Sequence, residues 1–139
     1  MVPCWPALRT KPEIHFLSLE EVLTIYQDQV GDPAGLDRRR LGHLRACLAM
    51  PATKMGGRYT HRDLFEMAAA YLFHIVLNKP FARGNRRVGL LTALYFLYLH
   101  HYALQAEPDQ LAQLIKDVEK ARATKRQLAD FFRSHAVSS

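Results

Sequence analysis

Asn78-Lys79-Pro80-Phe81-Ala82-Arg83-Gly84-Asn85-Arg86-Arg87 runs without a break into the apolar segment Val88 to Leu99. Pro80 cannot continue a helix and Gly84 permits a tight turn, so this spacing predicts a short loop ending where a strongly apolar helix begins. The first backbone N–H groups of a helix lack partners within it and carry the positive end of its dipole. A Gly84-Asn85 turn opening a helix is therefore suited to cradle an anion, phosphate above all. Arg86 and Arg87 in the first turn strengthen that expectation, because cations are unfavourable there unless an anion lies close.

Working outward, the helix from about Asn85 to His100 is interrupted only by Gly89 and Thr92 between Val88 and Leu99, so it is expected at the centre of a bundle with little surface for water. Its length fits a core helix better than a membrane span. Upstream, Thr60 and Asp63 predict an N-cap opening a long helix through about Leu77, with Leu64, Phe65, Ala68, Tyr71, Leu72 and Ile75 on the buried face. His61 falls in its first turn and His74 near its end, both expected as surface or hydrogen-bonded histidines. Before it, Ala52 to Tyr59 contains Gly56-Gly57 and no helical period, a loop or small hairpin.

Two further helices precede that hairpin. Ser18-Leu19-Glu20-Glu21 has the form of a capping box and opens a helix that Gly31-Asp32-Pro33 stops, before a loop through Gly35. The next carries Leu41, Leu44, Cys47 and Leu48 and ends at Pro51; Cys47 on that stripe reads as a small core residue. After His100-His101, which has no metal-ligand spacing, Pro108 opens a helix bearing Leu111, Leu114, Ile115 and Val118. A last helix from about Lys125 packs Leu128, Phe131 and Phe132, with fraying expected after Arg133. The fold expected is all-α, a compact bundle of about six helices around a buried central helix with one small β-hairpin. It forms a single domain over 1–139, with its core at about 14–133 and tails at 1–13 and 134–139.

Bulk properties narrow the function classes. With 139 residues and 49% hydrophobic content the chain suits one domain with a real core. Pro3, Pro6 and Pro12 interrupt any secretory leader, and Cys4 and Cys47 suggest no disulfide framework, so a cytoplasmic setting is expected. The charge of +6 leaves room for acidic partners, but Arg38-Arg39-Arg40 beside Asp37 reads as a solvated face. No helix-turn-helix, zinc-finger or aromatic-basic signature supports specific nucleic-acid binding.

The stretch from Asn78 to Arg87 resembles the signature of the Fic/Doc (Fido) superfamily: His-Pro-Phe, any residue, Asp or Glu, Gly-Asn, any residue, Arg, opening a buried helix. Phe16-Leu17-Ser18-Leu19-Glu20 is similar to the start of Doc-type proteins, and Gly56-Gly57 to the segment before the motif helix. The resemblance covers roughly residues 14 to 133. It implies a Doc-type fold from toxin–antitoxin modules, in which a nucleotide part is transferred from ATP to a target hydroxyl. Most Fic proteins transfer AMP; the phage Doc toxin transfers the terminal phosphate to the translation factor elongation factor Tu. In the family the histidine is the general base, the acidic residue holds magnesium, the Gly-Asn amides bind an anion, and the last arginine contacts a phosphate.

Gly84, Asn85 and Arg87 match that pattern, while Lys79 stands at the base position and Arg83 at the magnesium position. Arg86 occupies a place where many AMP-transferring members have glycine and Doc has lysine, which resembles the phosphate-transferring arrangement. Lysine, with a reference pKa of about 10.4, is a poor base unless desolvation or neighbouring cations disfavour its charge, and Arg83, Arg86 and Arg87 are such neighbours. Arginine cannot ligate magnesium, though it can neutralise phosphate. Three readings follow. One is a catalytically impaired Doc-like protein binding ATP or a related nucleotide through Arg83, Gly84, Asn85, Arg86 and Arg87, with magnesium disfavoured. Another is an active transferase using Lys79, His74 or His61. The last is a loop kept only for its shape. No match to the self-inhibitory Fic helix is present, so the resemblance implies control by a separate antitoxin peptide in a groove beside the loop. The sequence assigns no oligomeric state.

Overall fold

The computed structural model describes residues 13–31 and 36–139. Pro3, Cys4, Pro6, Pro12, Asp32, Pro33 and Gly35, used above for the leader and the first helix stop, lie outside them. Among the described residues six α-helices carry the fold: α1 (Leu19–Gln29), α2 (Arg38–Ala49), α3 (Leu64–Asn78), α4 (Asn85–Leu99), α5 (Pro108–Glu119) and α6 (Lys125–His135). The strands are β1 (Lys54–Met55), β2 (Arg58–Tyr59), β3 (Tyr102–Leu104) and β4 (Ala136–Ser138).

The capping box of α1 is formed: Ser18 accepts from the Glu21 amide at 3.1 Å, and the Ser18 amide donates back to the Glu21 carboxylate at 2.9 Å. At α3 the cap is Asp63 alone, accepting from the Glu66 amide at 2.8 Å. Thr60 and His61 therefore precede the helix, correcting the expectation that the cap began at Thr60 and that His61 sat in the first turn. An unforeseen capping box, Thr124 with Gln127, starts α6.

The centre is a helix pair. α3 buries eight of its residues, including Tyr71, Leu72, Ile75 and Val76, and α4 packs on it through Val88, Gly89, Ala93 and Phe96. Gly89 lets the backbones approach: a Cβ there would lie 3.1 Å from Leu72 Cδ1. α4 is less enclosed than its composition suggests. Leu91, Leu94 and Tyr95 are half-buried and Tyr98 is exposed, because α1 covers only part of this face and leaves an apolar groove of about 380 Å³ between the two helices. Tyr71 fastens the N-terminal segment, its hydroxyl accepting from the Leu17 amide at 2.9 Å; burial pushes the phenol up to about 12.

The expected hairpin is β1–β2, turning at Gly56-Gly57, both with positive φ. A second pair was not expected: β3 and β4 run antiparallel, Tyr102 opposite Ser138 and Leu104 opposite Ala136. The chain thus does not fray after Arg133. α6 continues to His135, and residues 136–138 satisfy the backbone groups that β3 exposes on leaving α4. Among the described residues, no helix is long and apolar enough to cross a membrane.

Candidate functional site

The loop between α3 and α4 is built by two left-handed residues. Lys79 ends α3 with φ 48° and ψ 60°, and its amide still donates to the Ile75 carbonyl at 3.0 Å. Gly84 precedes α4 with φ 81° and serves as its N-cap without any side-chain acceptor. Between them Pro80 and Phe81 are buried, and Phe81 stacks on Tyr26 of α1 with centroids 4.4 Å apart and planes 7° from parallel. Phe81 is thus a core anchor that pins the loop to α1.

Asn85 closes the loop upon itself. Its Oδ1 accepts from the Phe81 amide at 3.0 Å and its Nδ2 donates to the Phe81 carbonyl at 2.9 Å, so the side chain satisfies both backbone groups of a buried residue. Asn85→Ala is expected to destabilise the protein by roughly 1–3 kcal/mol, the cost of leaving such groups unpaired; urea unfolding measures it. With Asn85 turned toward Phe81, the amides of Asn85, Arg86 and Arg87 find no acceptor among the described residues; the first helical bond is Val88 N–H to the Gly84 carbonyl at 2.9 Å.

The cations of the loop do not form one cluster. Arg86 pairs with Glu119 of α5 at 3.2 Å, and Arg87 donates to the Gln29 carbonyl at the end of α1 at 3.3 Å, both at exposed positions. A guanidinium on the last carbonyls of α1 meets the negative end of that helix dipole. These contacts account for much of what looked misplaced about two arginines opening a helix. Lys79 and Arg83 are exposed, and Arg83 has its own interaction within the protein. Arg40, read above as part of a solvated run, instead reaches the loop from α2, donating to the Lys79 and Pro80 carbonyls at 3.5 and 3.4 Å. Nothing in the spacing of Arg38-Arg39-Arg40 marks it for that task; only packing of α2 on α3 brings it there.

His74 and His61, considered as substitute bases, come together elsewhere. Lys125 at the start of α6 donates to Nε2 of both, at 3.1 Å to His61 and 3.2 Å to His74. Burial and then the Lys125 charge push His61 down, and burial, Lys125 and His61 push His74 down to about 4. Both rings are therefore committed as acceptors to an ammonium. Cys47 is buried in the core as expected, its thiol donating to the His74 carbonyl at 3.4 Å while Asn78 Nδ2 donates to its sulfur.

From 78 to 87 the loop contains no carboxylate, and Glu119 of α5 is taken by Arg86. Among the described residues, no three His, Cys, Asp or Glu side chains converge on a possible metal position. Within the loop itself no side chain from 78 to 87 offers a carboxylate of the kind that, with phosphate oxygens, holds magnesium.

No curated protein matches the chain. The model of the Fic/DOC family does match, over residues 16–97, a span running from the segment before α1 to the last turn of α4 and including the whole loop. That span is more than half of the chain, so the protein belongs to the Fic/DOC family.

Proposed function

We propose that this protein is a Doc-like member of the family whose α3–α4 loop binds the phosphates of ATP or a related nucleotide while transfer chemistry is impaired. The observation that carries this reading is the open end of α4: its N-cap is a glycine, and the amides of residues 85–87 find no acceptor among the described residues. Such a helix start favours an anion. Impairment is supported by chemistry at two positions. Lys79 is exposed, so the burial on which lysine bases depend is missing there, and Arg83 offers no ligand to a metal. Losing a general base alone typically costs about 10²–10⁴ in rate.

A second reading, in which the loop is kept for its shape, draws on Phe81 against Tyr26, the Asn85 ties, and the protein partners of Arg86 and Arg87. One experiment separates these from an active transferase. The protein is heated with and without ATP, then incubated with elongation factor Tu and ATP labelled at the α or γ phosphate. The expected result is stabilisation by ATP, worth about 2.7 kcal/mol at a hundred times Kd, with no label transferred. Absence of any ATP effect supports the shape-only reading. Transfer by the native protein that Lys79→Ala abolishes overturns impairment.

A toxin–antitoxin role is part of the same proposal. The apolar groove between α1 and α4, lined by Ile25, Leu91, Leu94, Tyr95 and Tyr98, suits an amphipathic peptide segment of an antitoxin. A cytoplasmic setting accords with a target in translation.

A further inference from the structure

A cavity of about 540 Å³ lies between the entry to α3 and the first turns of α6, and no residue from 78 to 87 lines it. Four cationic side chains face it, Arg62, Lys125, Arg126 and Arg133, against two carboxylates, Glu66 and Asp130. The carboxylates are not shared evenly. Arg133 takes Asp130 at 2.7 Å and Asp63 at 2.8 Å, and stands 3.8 Å from Glu66, whose other oxygen accepts from the Arg62 amide at 3.0 Å. Asp130 and Asp63 are thereby committed to Arg133, while the Glu66 carboxylate also acts on Lys125 and His61 through space.

Lys125 makes its hydrogen bonds to neutral groups alone; burial pushes its ammonium down and the Glu66 carboxylate opposes that. Its ammonium donates to two imidazoles and lies 5.6 Å from the centre of the Phe73 ring. An N–H can only be donated to a nitrogen that carries no proton, so both His61 and His74 are neutral at Nε2. His61 is 6% exposed, and its Nδ1 has no hydrogen-bond partner among the described residues; the Pro51 carbonyl favours its protonated form without meeting hydrogen-bond geometry. An ammonium has three donors, and two are used. The guanidinium groups of Arg62 and Arg126, both exposed, make no hydrogen bond or ion pair with a described residue. The cavity therefore gathers one half-buried ammonium with a donor to spare and two uncommitted guanidinium groups, in a space of the size used for small-molecule ligands.

We propose that this cavity is a binding site for a phosphate group, held by the remaining N–H of Lys125 and by the guanidinium groups of Arg62 and Arg126. Charge-assisted bonds from Lys and Arg to phosphate oxygens are the strong class of hydrogen bond, and the two imidazoles fix the ammonium where it must stand. The volume accommodates a phosphate ester of sugar size as well as the free ion. This site is independent of the α3–α4 loop.

The test is a titration of the full chain, followed by NMR of the His61 and His74 ring resonances, with inorganic phosphate in one arm and ribose 5-phosphate in the other. Expected is a saturable movement of both rings, with affinity weakened at least ~10-fold in Arg62→Ala/Arg126→Ala, the least that losing two charge-assisted partners should cost. Tighter binding of the ester identifies an esterified ligand, and equal binding identifies the free ion. Since both arginines are exposed and unbonded, that variant should fold as the native chain does. Lys125→Met should abolish the response, and if it fails to fold the arginine variant carries the test alone. The proposal is overturned if neither probe moves the rings to saturation, if chloride at equal ionic strength reproduces the movement, or if the arginine variant binds as the native protein does.

Discussion

Gly84→Ala is expected to destabilise the protein by about 2–4 kcal/mol in urea unfolding, combining the cost of a left-handed alanine with that of overpacking. Gly84 has φ +81°, and an added Cβ would lie 2.6 Å from Val30 Cγ2. Val30 cannot readily yield: its β-branched side chain is stiff, and its backbone is the C-cap of α1, with the amide on the Tyr26 carbonyl at 2.8 Å. The two terms separate by experiment. In a Val30→Ala background the steric part vanishes, so Gly84→Ala should cost only the ~1–2 kcal/mol of backbone strain. Equal cost in both backgrounds would show that Val30 is not what the new methyl meets. Glycine in this family motif is thus required here by how closely the loop approaches α1, whatever it binds.

Lys79→His together with Arg83→Asp should produce transfer of labelled phosphate or AMP to elongation factor Tu at least ~10² above the native protein, the usual worth of a positioned general base. The backbone favours the change. Lys79 has φ 48° and ψ 60°, and histidine is among the non-glycine residues enriched in that region. Position 83 is exposed, so a carboxylate there carries little burial cost. The double variant restores the two residue types the family uses while leaving the Asn85 ties to Phe81 and the open amides of α4 in place. If it folds, is stabilised by ATP and still transfers no label, the impairment extends beyond these two positions and the proposal built on them is wrong. Lys79→His alone, with Arg83 retained, should show little gain, since position 83 would still offer a guanidinium and no carboxylate.

Helices were legible where a cap and a stripe coincide. Ser18 with Glu21, Pro108, and the apolar run after Gly84 each mark a start through local chemistry that tertiary packing had no reason to override. The β1–β2 hairpin was legible for the same reason, since Gly56 and Gly57 supply the positive φ its turn needs. What could not be read depends on partners distant in sequence. Strand β4 is three residues of ordinary composition, and only β3 on another part of the chain makes it a strand. At the site, the short loop and the turn at Gly84 were legible from Pro80 and Gly84, while the left-handed Lys79 that ends α3 was not. Nor was the fate of the loop's cations. Arg86, Arg87 and Arg40 are assigned by Glu119, the Gln29 carbonyl and the Lys79 and Pro80 carbonyls, none of which a local spacing points to. The meeting of His61, His74 and Lys125 is a similar case, joining residues 51 and 64 positions apart.

The histidine pair that ends α4 acts as a clasp. His100 donates from Nδ1 to the Phe96 carbonyl at 2.7 Å, which leaves Nε2 free to accept from the His15 amide at 3.0 Å, 85 positions away; the His101 carbonyl accepts from the amide of Ser139 at 3.0 Å. The first and last described segments are therefore fastened to adjacent residues at the opposite end of α4 from the motif loop, about 22 Å along a 15-residue helix. The seam adds to ties that hold each segment separately, the Tyr71 hydroxyl at Leu17 and the β3–β4 ladder, so both ends of the described chain are anchored at the pole of the bundle remote from the loop.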